Sequence, residues 1–539
     1  MKRLILLVVL AALAVPAFSQ SVAGGFSQAP IAHTFTDARS FTFAPDGRMF
    51  YTEASSGNIY VIDDITAGSI TPTLFATVSG FVWNASLDLG LHGIALDPNF
   101  PAAAGTSTDR FVYVVAATGT IGAPKYQVIR FQEDTASLGQ AVVASETTIV
   151  SAFDMGPAGL NFGGRISFDS GGLMYLSVGD GGSSVSLAGG YAQANSDKRG
   201  KILRYNKNGS IPVGNPIASN PLYAKGFRNP CGMDFNPNTG KLFAPDMGNP
   251  ATTGDDELNL VNANDNYGWD ASGESGIRSN ASFVDPAWVF STGFLPSGVE
   301  FHPSGLSDFP AIGYRDGAVY VGRESAAGEV WRIVLTGSNE SAGVAAVQLL
   351  GGLASPVRDL KFNAASGKLC VLTDTSMHIV EYTGNTSVNN PTASAGPDQT
   401  VNEGDTVTLT AVASTDPDVG DVLRYIWRQV GGSSVVTIVN AETVGPTFTA
   451  PQVTFDQSFT FEVIVEDGNG GVVQDFVIIT VNNVSNPAGG GGGDIVAGPE
   501  PLGEGGCTAG DSSWLMLVAL LALCVSAWQK KRKLKLERI

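Results

Sequence analysis

The chain has 539 residues, 43% hydrophobic and 15% charged, with a formal net charge of −19. Both ends carry net positive charge, so the stretch between is more acidic still, and such a body repels nucleic acid phosphates. Enough apolar residues are present for large buried cores, and 66 glycines spread along the chain suit many tight turns.

The first element is a targeting segment. Met1-Lys2-Arg3 precedes the apolar run LILLVVLAALAV, and small residues follow at Ala17 and Ser19. That order predicts a signal peptide over 1–19 rather than a buried first strand. From residue 30 to 385 the apolar period is two, with Gly, Asn and Asp at the turns. One unit recurs, as FTFAPDGRMFYTEA from Phe41, GIALDPNF from Gly93 and RISFDSGGLMYLSVGD from Arg165. It returns as GMDFNPNTGKLFAPD from Gly232, GVEFHPSG from Gly298 and RDLKFNAASGKLCVLTD from Arg358. The apolar anchors Phe41, Ile94, Ile166, Met233, Val299 and Leu360 mark six units, each with further strands behind it. Six repeats of several strands predict an all-β fold, a six-bladed β-propeller.

A polar linker ends at Pro391. Residues 391–484 then show short strands around a single Trp427, which predicts a C-terminal immunoglobulin-like β-sandwich. Asp416, Asp418 and Asp421 form an acidic turn there, read as a turn rather than a cation site. Residues 486–513 are a Gly-rich linker containing Cys507, and 514–528 form an apolar run before the basic tail 529–539. Fifteen helical residues rise about 22 Å against a hydrocarbon core of about 30 Å, so spanning needs the flanking Trp and Lys residues. The positive tail predicts a cytoplasmic C-terminus and an exported ectodomain, membrane-anchored or at the cell surface. A retained anchor and a cleaved sorting signal both fit this pattern.

Candidate chemistry lies on loops between strands: Asp180 in SVGDGG, Arg228 and Asn229 in GFRNPCG, Asp246 and Gly248 in APDMGNP, the run Asp255-Asp256-Glu257, and Arg358-Asp359. Two arginines and an asparagine meeting at a propeller axis would make an anion receptor. Among the histidines, none sits in a hydrolytic-triad pattern; His302 reads as structural, and His92 in GLHGIALDPNF is the one beside a motif. Cys231 and Cys370 read as buried free thiols, with an oxidised pair as the alternative.

The blocks DLGLHGIALDPNF, GGRISFDSGGLMYLSVGDGG, RGKILRYNKNGSIPVGNP, YAKGFRNPCGMDFNPNTGKLFAPDMG and DDELNLVNANDNYGW occur in a fixed order. In this they resemble the soluble PQQ-dependent glucose/sorbosone (aldose sugar) dehydrogenases. Residues 391–484 similarly resemble PKD-type domains of bacterial surface proteins. The first resemblance implies a Ca²⁺-anchored pyrroloquinoline quinone (PQQ) on the propeller axis, a small sugar as substrate, a histidine general base and hydride transfer from the sugar C1 to the quinone C5. It places Asp88, Asp180, Arg228, Asn229 and Arg358 against the cofactor, and the carbonyls of Gly248 and Asn249 on Ca²⁺. It also exposes departures. The base position is Asn161, which cannot take a proton near neutral pH. Ala326 and Pro356 stand where the family has a cofactor-binding Lys and a second Arg. His92 and Asp88 are the substitute bases the sequence offers. Two functions follow: an exported PQQ-linked sugar oxidoreductase, or a propeller without catalysis that binds a surface ligand.

Overall fold

Alternating apolar residues make strands that bury both faces here, because each strand is packed between two neighbouring sheets. In Met49–Glu53, Met49 and Tyr51 enter one core while Phe50 enters the next. A computed structural model describes residues 20–484, except residues 24, 85, 103–108, 157, 183–189, 250–255, 270–281, 292, 304–308, 310–317, 337–341, 384–390, 419–422 and 468–471. The predicted signal peptide, Gly-rich linker, apolar run and basic tail lie outside the described residues, as do Asp255 and Asp421.

The described secondary structure is all strand. Six antiparallel sheets follow one another along the chain, and their innermost strands are Ala38–Phe43, Leu91–Leu96, Gly163–Phe168, Asp234–Phe235, Pro296–Phe301 and Val357–Phe362. We number the blades 1 to 6 in that order. The ring closes by an exchange of ends: Phe26–Pro30, before blade 1, is the outermost strand of blade 6, pairing with Met377–Tyr382. Ser21–Val22 adds a fifth strand to blade 5.

Six hydrophobic cores sit between consecutive blades, one per interface. Phe50, Phe75 and Val114 join blades 1 and 2, and Phe41, Tyr51 and Leu372 join blades 6 and 1. The predicted anchors all face these cores, so every blade is held from both sides.

The inner strands share one irregularity. Their pairing slips at Ala38/Ser40, Leu91/Ile94, Gly163/Ile166, Pro296/Val299 and Val357/Asp359. In blade 4, Pro230 pairs with Asp246 and Asp234 with Phe243, which again leaves one residue extra. A bulge re-aims the side chains beside it. Here it falls at equivalent places in six blades, just upstream of each anchor, where the strands meet the axis.

The second domain packs a four-stranded sheet, in which Gln399–Asn402 runs parallel to Val472–Asn482, against the pair Thr406–Thr408 and Thr447–Thr449. Trp427, 1% exposed, fills its core with Phe448, Phe459 and Phe461. Arg332 of blade 5 reaches Glu466 of this domain at 3.3 Å, and both are buried. Cys231 and Cys370 are unpaired thiols in blades 4 and 6, which settles their alternative readings.

Candidate functional site

Stepping back two residues from each anchor gives Arg39, His92, Gly164, Cys231, Ser297 and Arg358. Five of these six line one cavity on the axis, together with Asp88, Gly93, Gly163, Arg165, Asn229 and Glu324. The sixth, Gly164, has no side chain because His92 occupies its space: a Cβ there would lie 2.8 Å from His92 Cβ, at a φ of +82°. His92 also stacks on Phe162, with ring centres 4.4 Å apart and planes 7° apart.

Arg165 closes the floor. Its guanidinium donates to the carbonyl of Cys231 (2.7 Å), to Asp359 Oδ2 (2.8 Å) and to the carbonyls of Arg39 (3.4 Å) and Arg358. One side chain of blade 3 thus ties together blades 4, 6 and 1. Asp359 in turn accepts from Ser40 Oγ at 2.6 Å.

The loops above the cavity hold the residues expected at the site. Asp246 accepts the backbone N–H groups of Arg228 (2.9 Å) and Asn229 (2.7 Å), so the Asp of APDMG shapes the FRNP turn. Asn229 Oδ1 accepts from Gly163 N–H at 3.0 Å, and Asp88 Oδ2 accepts from Phe162 N–H at 2.8 Å. The Arg228 guanidinium lies over the Trp269 ring at 5.6 Å and donates to the carbonyls of Met247 (3.0 Å) and Gly248 (2.6 Å). Arg358 is bound by Asp374 at 2.5 Å and by Glu324.

Asn161 adopts a left-handed backbone, φ +49°, and donates from Nδ2 to Asp180 Oδ1 at 2.8 Å. Asp180, 2% exposed, also accepts from Gly182 N–H (2.8 Å) and Trp269 Nε1 (3.0 Å). Burial pushes its carboxyl up, against the pull of those hydrogen bonds and of Arg228. Burial also drives the His92 imidazole down to about 4, despite Asp88 beside it, so it is neutral near pH 7. Burial alone would raise Asp88, but His92, Arg39 and the Phe162 N–H outweigh it and hold the carboxyl low.

The structure therefore brings Asp88, Asn229 and Arg358 to one cavity and sets Asn161, Asp180 and Arg228 in one hydrogen-bonded and aromatic group with Trp269. Neither substitute base is ready for proton abstraction: Asp88 is engaged with Phe162, and His92 has its basicity suppressed. Gly248 is in place, but its carbonyl and that of Met247 converge on the Arg228 guanidinium. Hard carbonyl oxygens suit Ca²⁺, yet that seat is held by a cation of the protein itself. Asp256, which the sequence also offered, instead accepts from Gly248 N–H and Leu295 N–H, both at 3.0 Å. Among the described residues no group of three His, Cys, Asp or Glu is placed to hold a metal ion. Arg39, Arg165, Trp269, Ser297 and Glu324 were missed. Aligning the six anchors and reading two positions upstream would have found Arg39 and Ser297.

The family model for glucose/sorbosone dehydrogenase matches residues 35–380, and a PKD-domain model matches 395–481. An uncharacterized protein of Synechocystis is 30% identical over 284 residues, 48% of this chain and 65% of that one. Quinoprotein glucose dehydrogenase B of Acinetobacter calcoaceticus is 28% identical over 274 residues, 47% of this chain and 54% of that one. The matched stretch thus spans less than two thirds of either relative. Among solved structures, the PQQ-bound aldose sugar dehydrogenase of Streptomyces coelicolor superposes with a TM-score of 0.54 at 23% identity, covering 67% of this chain and 99% of that one. The apo aldose sugar dehydrogenase of Escherichia coli gives 0.52 at 22%, covering 66% and 99%. At those identities the superpositions speak for the fold.

Proposed function

The chain belongs to the glucose/sorbosone dehydrogenase family, and from that premise we propose that it is an exported, PQQ-binding sugar oxidoreductase held back by an amide in place of its base. The observation that carries this reading is Arg228. Its guanidinium lies over an aromatic ring beside the axial cavity, and among the described residues it makes no ion pair with a carboxylate. A planar, multiply carboxylated quinone is the kind of ligand such a pair receives.

In this reading Arg228 meets a carboxylate of the quinone, Arg358, paired with Asp374 and Glu324, lines the cavity that receives it, Trp269 offers an aromatic face, and Asp88, Asp180 and Asn229 fix the loops around it. The bound quinone supplies a two-electron acceptor for oxidation of a sugar C1 hydroxyl. Asn161 can orient a hydroxyl but cannot remove its proton, and its amide is already committed to Asp180. Turnover is therefore weak. Ca²⁺ can use the Met247 and Gly248 carbonyls only when the Arg228 guanidinium leaves them, as it would on turning to an anionic ligand. The basic tail and the N-terminal segment support an ectodomain outside the cytoplasm, tethered at the membrane or the cell surface.

A second reading has its own support. Asn161, Ala326 and Pro356 together remove the base and two cations, which suits a propeller that binds a ligand without transforming it. Titration of PQQ into the full chain, with and without Ca²⁺, separates the two. We expect saturable binding, weakened by Arg228→Ala about 10- to 150-fold, the equivalent of about 1.5–3 kcal/mol for a charge-assisted contact. Absence of saturable binding by the wild type would discard the quinone and leave the binding propeller.

A further inference from the structure

Three buried polar atoms on residues that line the axial cavity have no hydrogen-bond partner among the described residues: Arg39 Nε, His92 Nε2 and Ser297 Oγ. His92 is 7% exposed and Ser297 2%. A buried donor or acceptor left unpaired is destabilising, and three of them on residues that line one small space mark a place shaped for a guest. The three residues hold the same position in blades 1, 2 and 5, just upstream of each anchor. Among the described residues no neighbouring side chain completes them: Cys231 Sγ is turned to the carbonyl of Pro296 at 2.7 Å, Arg358 is held by Asp374 and Glu324, and Arg165 by Asp359.

We propose that this floor is a carboxylate socket, in which Arg39 Nε, Ser297 Oγ and His92 Nε2 donate to one carboxylate group that enters together with a proton taken up by His92. Arg39 and Ser297 supply two donors at once. The third depends on the imidazole, which makes a hydrogen bond with the Asp88 backbone and is neutral near pH 7. A neutral ring that gives its Nδ1 proton to that carbonyl presents a lone pair at Nε2, which would repel a carboxylate. Protonation turns the same atom into a donor.

Charge balance favours the coupled step. The imidazole is faced by Asp88, Arg39 and Arg165, and the rest of the cavity adds Arg358, Glu324 and the Cys231 thiol. Behind them, Asp37 Oδ1 stands 3.7 Å from Arg39 Nε itself, beyond hydrogen-bond reach, and Asp359 and Asp374 pair with Arg165 and Arg358. The cations are already matched, so a bare anion gains little there. An anion with its proton adds no net charge, and Asp88 stabilises the imidazolium that results. The shared chemistry is a carboxylate, from either a small free carboxylic acid or the quinone; the quinone source rests on the reading above and the free-acid source does not.

The test is calorimetric titration of acetate and, separately, of PQQ into the full chain between pH 6 and 8, in two buffers of different ionisation enthalpy. We expect about one proton taken up per ligand and an affinity that falls about tenfold per pH unit. His92→Gln should abolish the uptake. Ser297→Ala, a milder change, should weaken binding and keep the uptake. Acetate binding with uptake identifies a free acid as a sufficient guest, and uptake with PQQ alone identifies the quinone. Binding without uptake, uptake that survives in His92→Gln, or no binding of either ligand, which would leave only water in the cavity, overturns the socket. PQQ bound equally well by His92→Gln and without uptake overturns the socket while the quinone reading stands. Acetate bound with uptake by a chain that ignores PQQ does the reverse.

Discussion

Two rings of side chains surround the axis, three residues apart on the same strands. The ring at the candidate site presents Arg39, His92, Cys231, Ser297 and Arg358, with three polar atoms unpartnered. The ring at the other mouth presents Thr42, Ala95, Ser167, Asp234, Glu300 and Lys361. There Lys361 Nζ meets Glu300 Oε2 at 2.7 Å and Asp234 Oδ2 at 3.5 Å. Burial, with Asp234 close by, pushes the Glu300 carboxyl up, and Lys361 opposes it. Arg165 and Asp359 lie between the rings. One repeat thus builds a mouth whose charges satisfy one another and a mouth whose polar atoms do not. The first contributes stability. The second leaves it unclaimed, as expected where a ligand completes the bonding.

That contrast is open to attack at several residues. The largest loss of stability should come from Arg165→Leu, which strips the partner from a buried Asp359 and cuts ties to three other blades. A cost of about 3–5 kcal/mol is expected, read from urea unfolding; a cost below about 1 kcal/mol would mean that Arg165 does not lock the axis. Lys361→Met comes next, at about 1.5–3 kcal/mol, since it abandons Glu300 and Asp234 together. Adding Glu300→Leu should restore much of that loss, because a buried pair removed as a unit costs far less than one broken.

Calcium gives a smaller signal. Without quinone, added Ca²⁺ should barely move the thermal midpoint of the wild type, since Arg228 holds the carbonyl seat. In Arg228→Ala the midpoint should rise, by about 2–4 °C per kcal/mol of binding. An equal rise in both proteins would place the ion elsewhere. Smallest of all is Ser297→Ala, within about 0.5 kcal/mol of wild type, because its hydroxyl makes no bond to lose. A cost above about 1.5 kcal/mol would show that the open ring is structural after all.

Much of this is legible in the sequence. Spacing and the FxPxG-like turns yield six blades, since burial on both faces enforces a period of two in every strand. Asp88, Asn229 and Arg358 come from motif blocks and line one cavity, while Arg228 from the same blocks lies with Trp269. The ring itself stayed hidden for a physical reason. A period of two places Arg39 on the same face as Phe41, and His92 on the face of Ile94, which is the interblade core. The bulge between them turns the upstream residue to the axis, and a bulge leaves little trace in residue type. Trp269 was visible as part of NYGW, but its contact with Asp180 depends on loop closure between blades 3 and 4. The Gly248 carbonyl was expected on Ca²⁺; that a guanidinium faces it instead depends on the path of the Arg228 side chain.

The central claim is a site furnished for the quinone and lacking a base. Asn161→His tests it, because position 161 has a left-handed backbone that His tolerates and because Asp180 would receive one imidazole N–H and leave the other nitrogen free. The measurement is aldose-dependent dye reduction by the PQQ-loaded full chain, wild type beside variant, at matched cofactor occupancy. A rise in kcat of about 10²- to 10⁴-fold is expected. Robust wild-type turnover that Asn161→His leaves unchanged would contradict it and show that another residue takes the proton.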